Sequence, residues 1–238
     1  MTATVRQEWP SAWSAASSTT VASGAASSSC LIGSTITAWV LWSNNASTLP
    51  ASVIDSASQT YTYSGTTVFN NNTGLNWALY YFKNNASATQ LSITATWGAA
   101  QTFLGIWPGE ITGVSTSAPY QTSGGNSQDN PGTGTGLITS TNVTPTSAPA
   151  LLYAISIDSH GGASSVVAGS LSAGTTGLLL TGNTAPSGTS GTQQLAATTP
   201  IAGTFTNATD GSGASFLTLA SVWTPSASGN TASIAWVV

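Results

Sequence analysis

Charged side chains are almost absent from this sequence. Only 3% of its 238 residues are Asp, Glu, Lys or Arg, and only two of those are basic, whereas an ordinary globular domain is about 25% charged. Two basic residues cannot neutralise a row of phosphates, so electrostatic binding of nucleic acid is excluded, and so is a basic patch on a membrane surface. No apolar run approaches the ~18 residues of a membrane helix, so we expect no membrane insertion.

Cysteine and histidine are nearly missing as well. The single Cys30 rules out an internal disulfide, and one His with one Cys cannot supply the three or four ligands of a zinc site. Isolated Asp residues and carbonyls leave a calcium ion open, but no D-x-D-x-D loop supports one. We therefore expect no cofactor, and stability must come from burial and backbone hydrogen bonding.

The N-terminal residues lack a basic start followed by an apolar stretch, so they do not predict a secretory signal. The composition is nevertheless typical of a protein that works outside the cell. A virus particle reconciles the two, because its proteins are made in the host cytoplasm and used outside. Removal of a signal before the sequence begins is the alternative.

Small residues dominate what is present. Ser, Thr, Ala and Gly make up 135 of the 238 residues, and nine Trp, six Tyr and five Phe are available to build a core. Strong helix formers are scarce, whereas Thr, Val, Ile and aromatic residues favour strands. A protein surface made mainly of these small residues loses little side-chain entropy when it is buried in an assembly.

Short apolar runs bounded by Gly, Asn, Ser and Pro predict about a dozen strands. They lie near residues 35–43, 59–64, 66–70, 76–83, 90–97, 102–107, 135–141, 150–158, 164–171, 176–181, 201–206, 215–223 and 231–238. Their number and spacing predict an all-β fold, a two-sheet antiparallel β-sandwich of the jelly-roll or immunoglobulin-like kind. Segments 120–136 and 183–191 lack apolar periodicity and are predicted to be exposed loops.

We expect residues 30–238 to form the sandwich domain and residues 1–29 to form an N-terminal arm with a possible first strand. Trp9 and Trp13 bracket Pro10 and are followed by a polar, small-residue tether. Because Trp is enriched at interface hot spots, these three residues are candidates for contact with a neighbouring subunit. Trp39, Trp77, Trp97 and Trp236 lie inside predicted strands and are predicted to be core.

The order of several segments resembles a known group of proteins. These segments are TAWVLW, SVIDSASQTYTY, WALYYFKNNASATQLSITATW, FLGIWPGEITGVSTSAPYQTSGGNS and APALLYAISID. They resemble the jelly-roll or immunoglobulin-like sandwich modules of tailed-bacteriophage virion proteins, of the decoration or fibre type. The matching positions are Val53, Asp55, Tyr61, Thr62, Glu110, Gly113, Thr116, Ser117 and Pro119. The resemblance implies a structural or adhesive role on a particle exterior and no catalytic residues.

Few residues suggest chemistry. Hydrolysis of a glycosidic bond needs a pair of carboxylates, and Glu110 has no partner in sequence. We therefore interpret it as a strand-end carboxylate that binds backbone N–H groups in the following turn. Trp107, Glu110 and Tyr120 remain candidates for contact with a glycan. His160 follows Asp158 in IDSHGG, but a surface-loop histidine is the favoured interpretation. Asp55 is predicted to close an Asx-turn.

These observations predict a non-enzymatic structural protein on the exterior of a bacteriophage particle, with capsid decoration first. The alternatives are a tail or head fibre module that contacts host glycans, and a secreted carbohydrate-binding module. The expected partners are other virion proteins, copies of the chain itself and a host surface glycan.

Overall fold

A computed structural model of the chain describes residues 2–9, 12–43, 48–129, 136–158, 166–168, 172–176, 187–207 and 215–227. These residues form strands and turns and no helix. The strands are β1 (Thr4–Glu8), β2 (Ala12–Ser14), β3 (Ser18–Ala22), β4 (Thr35–Ser43), β5 (Ser52–Asp55), β6 (Thr62–Asn70), β7 (Leu75–Phe82), β8 (Ile93–Gln101), β9 (Leu104–Thr112), β10 (Tyr120–Asp129), β11 (Gly136–Thr139), β12 (Ala150–Asp158), β13 (Val166–Ala168), β14 (Ser172–Thr176), β15 (Ser187–Leu195), β16 (Thr204–Asn207) and β17 (Ser215–Trp223).

The strands form four antiparallel sheets. The first inner sheet has the order β1-β9-β4-β7-β6, with β2 also paired to β9, and the first outer sheet has the order β3-β8-β5. The second inner sheet has the order β10-β17-β12-β15-β14, and the second outer sheet has the order β11-β16-β13. Every described pair of strands within these sheets therefore lies either within residues 4–112 or within residues 120–223.

The four sheets stack as outer, inner, inner, outer, with a hydrophobic core in each of the three gaps. Side chains alternate along a strand, so β4 contributes Ile36, Val40 and Trp42 to the first outer core while Trp39 and Leu41 enter the central core. Strand β12 divides its side chains in the same way between the central core and the second outer core. The inner sheets are thus covered on both faces, which accounts for the long apolar runs of β4, β12 and β17.

The two halves of the chain share one topology. The inner sheets correspond strand by strand: the order β1-β9-β4-β7-β6 of the first matches the order β10-β17-β12-β15-β14 of the second. The outer sheets correspond in the same way, with β3-β8-β5 matching β11-β16-β13. In both halves the chain visits inner and outer sheets in the same sequence. The protein is therefore two sandwiches of equal strand order in tandem.

A glutamine near the start of each half repeats as well. Gln7 Oε1 accepts from Ser28 N (3.2 Å) and Gln7 Nε2 donates to Ser28 O (3.2 Å). Gln121 makes the same pair of bonds to Ser147 N (3.2 Å) and Ser147 O (3.3 Å). Each amide thereby ties the first strand of its sandwich to the connection that leads into β4 or β12.

Hydrogen bonds between the inner sheets define how the halves are stacked. Tyr120 Oη donates to Ser64 O (3.0 Å) near the starts of β10 and β6, and Asn70 Nδ2 donates to Asp129 Oδ1 (2.8 Å) at their ends, so these two strands run in one direction. At the opposite edge Gln194 of β15 donates to the backbone just before β1. The first strand of each sandwich therefore lies near the last-numbered edge of the other inner sheet, while equivalent strands run in the same direction. This is the arrangement that an approximate twofold axis parallel to the strands, relating the two sandwiches, produces.

The expected all-β antiparallel fold is confirmed, with the sandwich present twice rather than once. The predicted strands 35–43, 150–158 and 215–223 have the bounds that the structure shows, and the predicted strands 59–64 and 66–70 meet in the single strand β6. The predicted strand 231–238 lies outside the described residues, and so does all of 176–181 except Thr176, the last residue of β14. The loop predictions for 120–136 and 183–191 are wrong where they overlap β10 and β15, because both segments pair in the second inner sheet.

Candidate functional site

The N-terminal segment belongs to the fold and is not a separate arm. Strands β1 and β2 both pair with β9, and β3 pairs with β8 in the outer sheet. Trp9 is fully buried in the first outer core, so the expectation that it is an exposed interface anchor is wrong. Trp13 is half-buried and stacks on Phe103, with ring centroids 5.5 Å apart. Pro10 lies outside the described residues.

Glu110 lies at the centre of a buried polar cluster. It is 0% exposed, and it pairs with Arg6 Nη1 at 2.5 Å. Its other contacts are Gln7 Nε2 (2.7 Å) and the backbone N–H of Leu31 (2.6 Å). The prediction that Glu110 binds backbone N–H groups of the following turn is wrong about the donor, because the one backbone N–H that it binds belongs to Leu31, before β4. The carboxylate joins β1, β9 and residue 31, and a glycan has no access to it.

The other two glycan candidates line the central core. Trp107 is 4% exposed and contributes to the packing between the inner sheets, so its predicted role as a sugar-stacking surface is wrong. Tyr120 is half-buried, stacks on Tyr81 (5.1 Å) and meets the edge of Trp223 (5.6 Å). Burial raises the pKa of Tyr120. Both rings hold the two sandwiches together.

A carboxylate of the first sandwich enters the second at the same interface. Glu8 accepts from Tyr153 Oη and from Ser190 Oγ (2.8 Å). Tyr153 is fully buried and packs edge-on against Trp39, with ring centroids 5.3 Å apart. Burial, and then the adjacent Glu8 carboxylate, raise the pKa of the Tyr153 phenol well above its usual value, so this phenol remains a hydrogen-bond donor.

Two glycines allow the inner sheets to approach closely. A Cβ on Gly188 of β15 would lie 2.7 Å from Cζ3 of Trp107 and 2.8 Å from Cγ2 of Ile157. A Cβ on Gly125 of β10 would overlap Cγ2 of Val68 on β6. The interface is therefore packed to the point at which one methyl group does not fit.

The predicted Asx-turn at Asp55 is confirmed. Its Oδ1 accepts from Ala57 N (2.9 Å) and Gln59 N (3.0 Å), and its Oδ2 accepts from Gln59 Nε2 (2.7 Å). Oδ2 also accepts from Tyr61 Oη (3.2 Å). With four donors on one carboxylate, Asp55 has a structural role at the start of the connection to β6.

The remaining predictions concern metal ligands, membrane helices, buried tryptophans and His160. Within the described ranges, no three His, Cys, Asp or Glu side chains come together to hold a metal ion. None of the described residues forms a helix long and apolar enough to cross a membrane. Trp39, Trp77 and Trp97 are at most 2% exposed, so their predicted burial is confirmed. His160 and Trp236 lie outside the described residues.

Comparison with family models, curated proteins and solved structures finds no match to this chain.

The interface between the two sandwiches is the feature that sequence reasoning missed. A signal for it exists in β4, β12 and β17, whose runs of apolar residues without polar alternation are typical of strands buried on both faces. A two-layer sandwich covers only one face of each sheet, so strands that are apolar on both faces cannot be fully covered within it. The continuous runs therefore indicated a third apolar gap.

Proposed function

We propose that this chain is a structural component of the exterior of a virus particle, most simply a decoration protein of a bacteriophage capsid. The observation that carries the proposal is the repetition of one strand order in two tandem sandwiches, with equivalent strands parallel. The doubled sandwich has 17 described strands, and its two parts are joined by the central core. A block with one shared core suits repeated placement in a particle.

We further infer that each sandwich is a jelly roll. Its first strand lies beside its last, and from β3 to β9 and from β10 to β17 the chain alternates between the two sheets except at the inner-sheet hairpins β6–β7 and β14–β15. Jelly rolls occur in viral capsid proteins, in lectins and in cupins. A cupin-type metal site has no support from the described residues, and the Trp side chains that a lectin surface would use are mostly buried. Among these three classes, the capsid class fits best.

The charge-poor surface supports the same proposal. Ser, Thr, Ala and Gly lose little rotamer entropy on ordering, so burying them against a neighbour costs less than burying Lys or Glu. With few charges, contacts made by this surface depend little on ionic strength. Both properties favour a protein that must stay assembled in variable surroundings.

The experiment is to raise antibodies to the purified protein and test particles produced by the source of the gene. We expect the chain in purified particles by mass spectrometry and antibody labelling of intact particles in electron micrographs. Absence from purified particles contradicts the structural role, and labelling only after disruption contradicts the exterior position. An unrelated host protein of similar abundance serves as the control for co-purification.

A further inference from the structure

Two adjacent apolar side chains are exposed at one end of the first sandwich. Leu31 is 46% exposed and Ile32 is 70% exposed, and both lie in the turn 31–34 that leads into β4. Among the described residues, the other large hydrophobic side chains that are exposed are Ile54 and Leu137, each of which lies in a strand of an outer sheet. The turn is therefore the place in the described part of the chain where two such side chains are neighbours in sequence.

Buried groups hold this turn in place. Leu31 N donates to Glu110 Oε1 (2.6 Å), and Leu31 O accepts from Asn85 Nδ2 (2.9 Å). The side chains of both partners are fully buried. Ser34 N and Ser34 Oγ donate to the same carbonyl oxygen, at 3.2 and 2.7 Å. Because the backbone is already fixed, less conformational entropy is lost when Leu31 and Ile32 are buried against another molecule.

A pocket occupies the corresponding place on the second sandwich. It is lined by residues 147–149 and 224–227. Four of these lining residues are Ala or Pro, and none of the described residues in the lining is charged. The pocket has a volume of about 310 Å³, at the lower limit for small-molecule sites. An aliphatic side chain therefore fits within it.

The turn and the pocket are built from equivalent segments of the two sandwiches. Ser28 and Ser147 are equivalent, because each makes the same pair of backbone hydrogen bonds to a glutamine of the first strand of its sandwich. Residues 29–34 separate Ser28 from β4, whereas only residues 148 and 149 separate Ser147 from β12. The longer connection forms the exposed turn in the first sandwich, and the shorter one leaves the pocket in the second.

Both features lie at the same end of the molecule. A Cβ on Gly33 would lie 3.8 Å from Cγ2 of Thr116, so the turn adjoins the segment that follows β9. The pocket includes the segment that follows β17. These two segments meet, because Val114 and Pro225 form an antiparallel bridge. The pocket is thus continuous with the interface between the two sandwiches, and the turn and the pocket lie on opposite sides of the approximate twofold axis.

We propose that two copies of this chain dock end to end, with Leu31 and Ile32 of each copy entering the pocket of the other. The approximate twofold axis places the turn and the pocket at similar distances from the centre of the end face. A second copy, turned over about a twofold axis perpendicular to the strands, therefore brings its turn over the pocket of the first copy and its pocket over the turn. Both contacts form at once, as in the self-complementary interface of a closed dimer.

Charge favours the same partner. Leu31 and Ile32 are uncharged, and so are the described residues that line the pocket. Contact between the turn and the pocket therefore takes no ion out of water. The inference does not rest on the proposed place in a particle, because it concerns the purified chain alone.

The test is sedimentation velocity of the full chain over a wide concentration series, with charged substitutions on both surfaces. Ile32→Glu places a carboxylate in the turn, and Ala148→Lys places an ammonium group in the pocket. In the double variant, each new carboxylate would meet the new ammonium group of the other copy. The matched control is Leu137→Glu, because Leu137 is 56% exposed and lies outside both surfaces.

We expect the natural chain to form a dimer as its concentration rises. Ile32→Glu and Ala148→Lys should each weaken this dimer by at least about 100-fold, because every dimer contains the contact twice. The double variant should recover part of the loss, since its two changes compensate each other, and Leu137→Glu should dimerise like the natural chain. All variants should melt like the natural chain in dilute solution, because the substituted side chains are exposed in a single copy.

Three results would overturn the proposal. The first is a natural chain that stays monomeric at every concentration. The second is a dimer that Ile32→Glu leaves intact, or that the double variant does not partly restore. The third is a natural chain that dimerises only after Trp236→Ser, since the residues that follow Ala227 in the same chain would then be the occupant of the pocket.

Discussion

A methyl group added at Gly188 should force the two sandwiches apart. The new Cβ would lie 2.7 Å from Trp107, 2.8 Å from Ile157 and 3.0 Å from Ser156 O, all inside the 3.4 Å at which ordinary contact begins. Trp107 is 4% exposed, so its ring cannot move into solvent, and Ile157 is stiff at χ1. Overpacking of this kind costs about 1–3 kcal/mol.

For a chain of this length, each kcal/mol lowers the melting temperature by about 2–4 °C. Gly188→Ala should therefore melt about 2–12 °C below the natural chain, measured by circular dichroism. Gly125→Ala should act similarly at the other side of the interface, where its methyl group would overlap Val68. The two glycines are three strand spacings apart, roughly 14 Å, so their effects should add in the double variant.

Gly98→Ala is the control, because a Cβ there meets no atom within 4 Å. Lower entropy of the unfolded chain should leave this variant as stable as the natural chain or more stable, by up to about 1 kcal/mol. If Gly188→Ala and Gly125→Ala melt like Gly98→Ala, the inner sheets are not in the close contact described above, and the interface has been misjudged.

Three further predictions concern charge and titration. Glu110→Gln should destabilise the protein by about 1–3 kcal/mol in urea unfolding, because it breaks a buried ion pair whose Arg6 side chain is 30% exposed. An unchanged midpoint would contradict this. Burial raises the pKa of the Cys30 thiol from 9.0 to about 11, so the folded state binds more protons than the unfolded state between these values. Stability should be complete below pH 9 and fall toward pH 11, and Cys30→Ala should flatten this part of the profile, whereas an unchanged slope would exclude the thiol as its cause. Finally, Arg6–Glu110 is the only ion pair among the described residues and Glu110 is fully buried, so the melting temperature should change little between low salt and ~1 M NaCl apart from salting-out. A loss of many degrees would reveal electrostatic stabilisation elsewhere.

Where strands are built from apolar residues, their positions could be predicted from the sequence. The runs at 35–43, 150–158 and 215–223 are apolar on both faces, and each is a central strand of an inner sheet. Alternation also identified the buried face of β8, since Ile93, Ala95 and Trp97 enter the first outer core. The local sequence pattern is sufficient to predict a strand when the apolar side chains of that strand alone determine which of its faces are buried.

Strands β10 and β15 could not be predicted in this way. Their sequences, YQTSGGNSQD and SGTSGTQQL, resemble loops because the close approach of the inner sheets requires glycine at 125 and 188. Small residues there reflect the size of Val68 and Trp107 on the opposite sheet, which local pattern does not contain. Trp9 was misjudged for a related reason, since its burial depends on the long-range pairing of β1 with β9.

Whether a candidate site could be predicted also depends on how far apart its residues lie in the sequence. Asp55 was predictable because an Asx-turn involves only its near neighbours in sequence. Glu110 required knowledge of Arg6 and Leu31, which lie far away in the chain.

The separation of strand pairing into two halves has a consequence for synthesis on the ribosome. Among the described strands, none from residues 120–223 completes a sheet of the first sandwich, so that sandwich can fold while the second is still being translated. Until the second sandwich has folded, Trp39, Trp77 and Trp107 of the central core face water. They form an exposed hydrophobic surface that chaperones or another nascent chain can bind. Because the connection 113–119 is short, the second sandwich is present at a high effective concentration near this surface. Its packing against the first sandwich is therefore favoured over association between two chains.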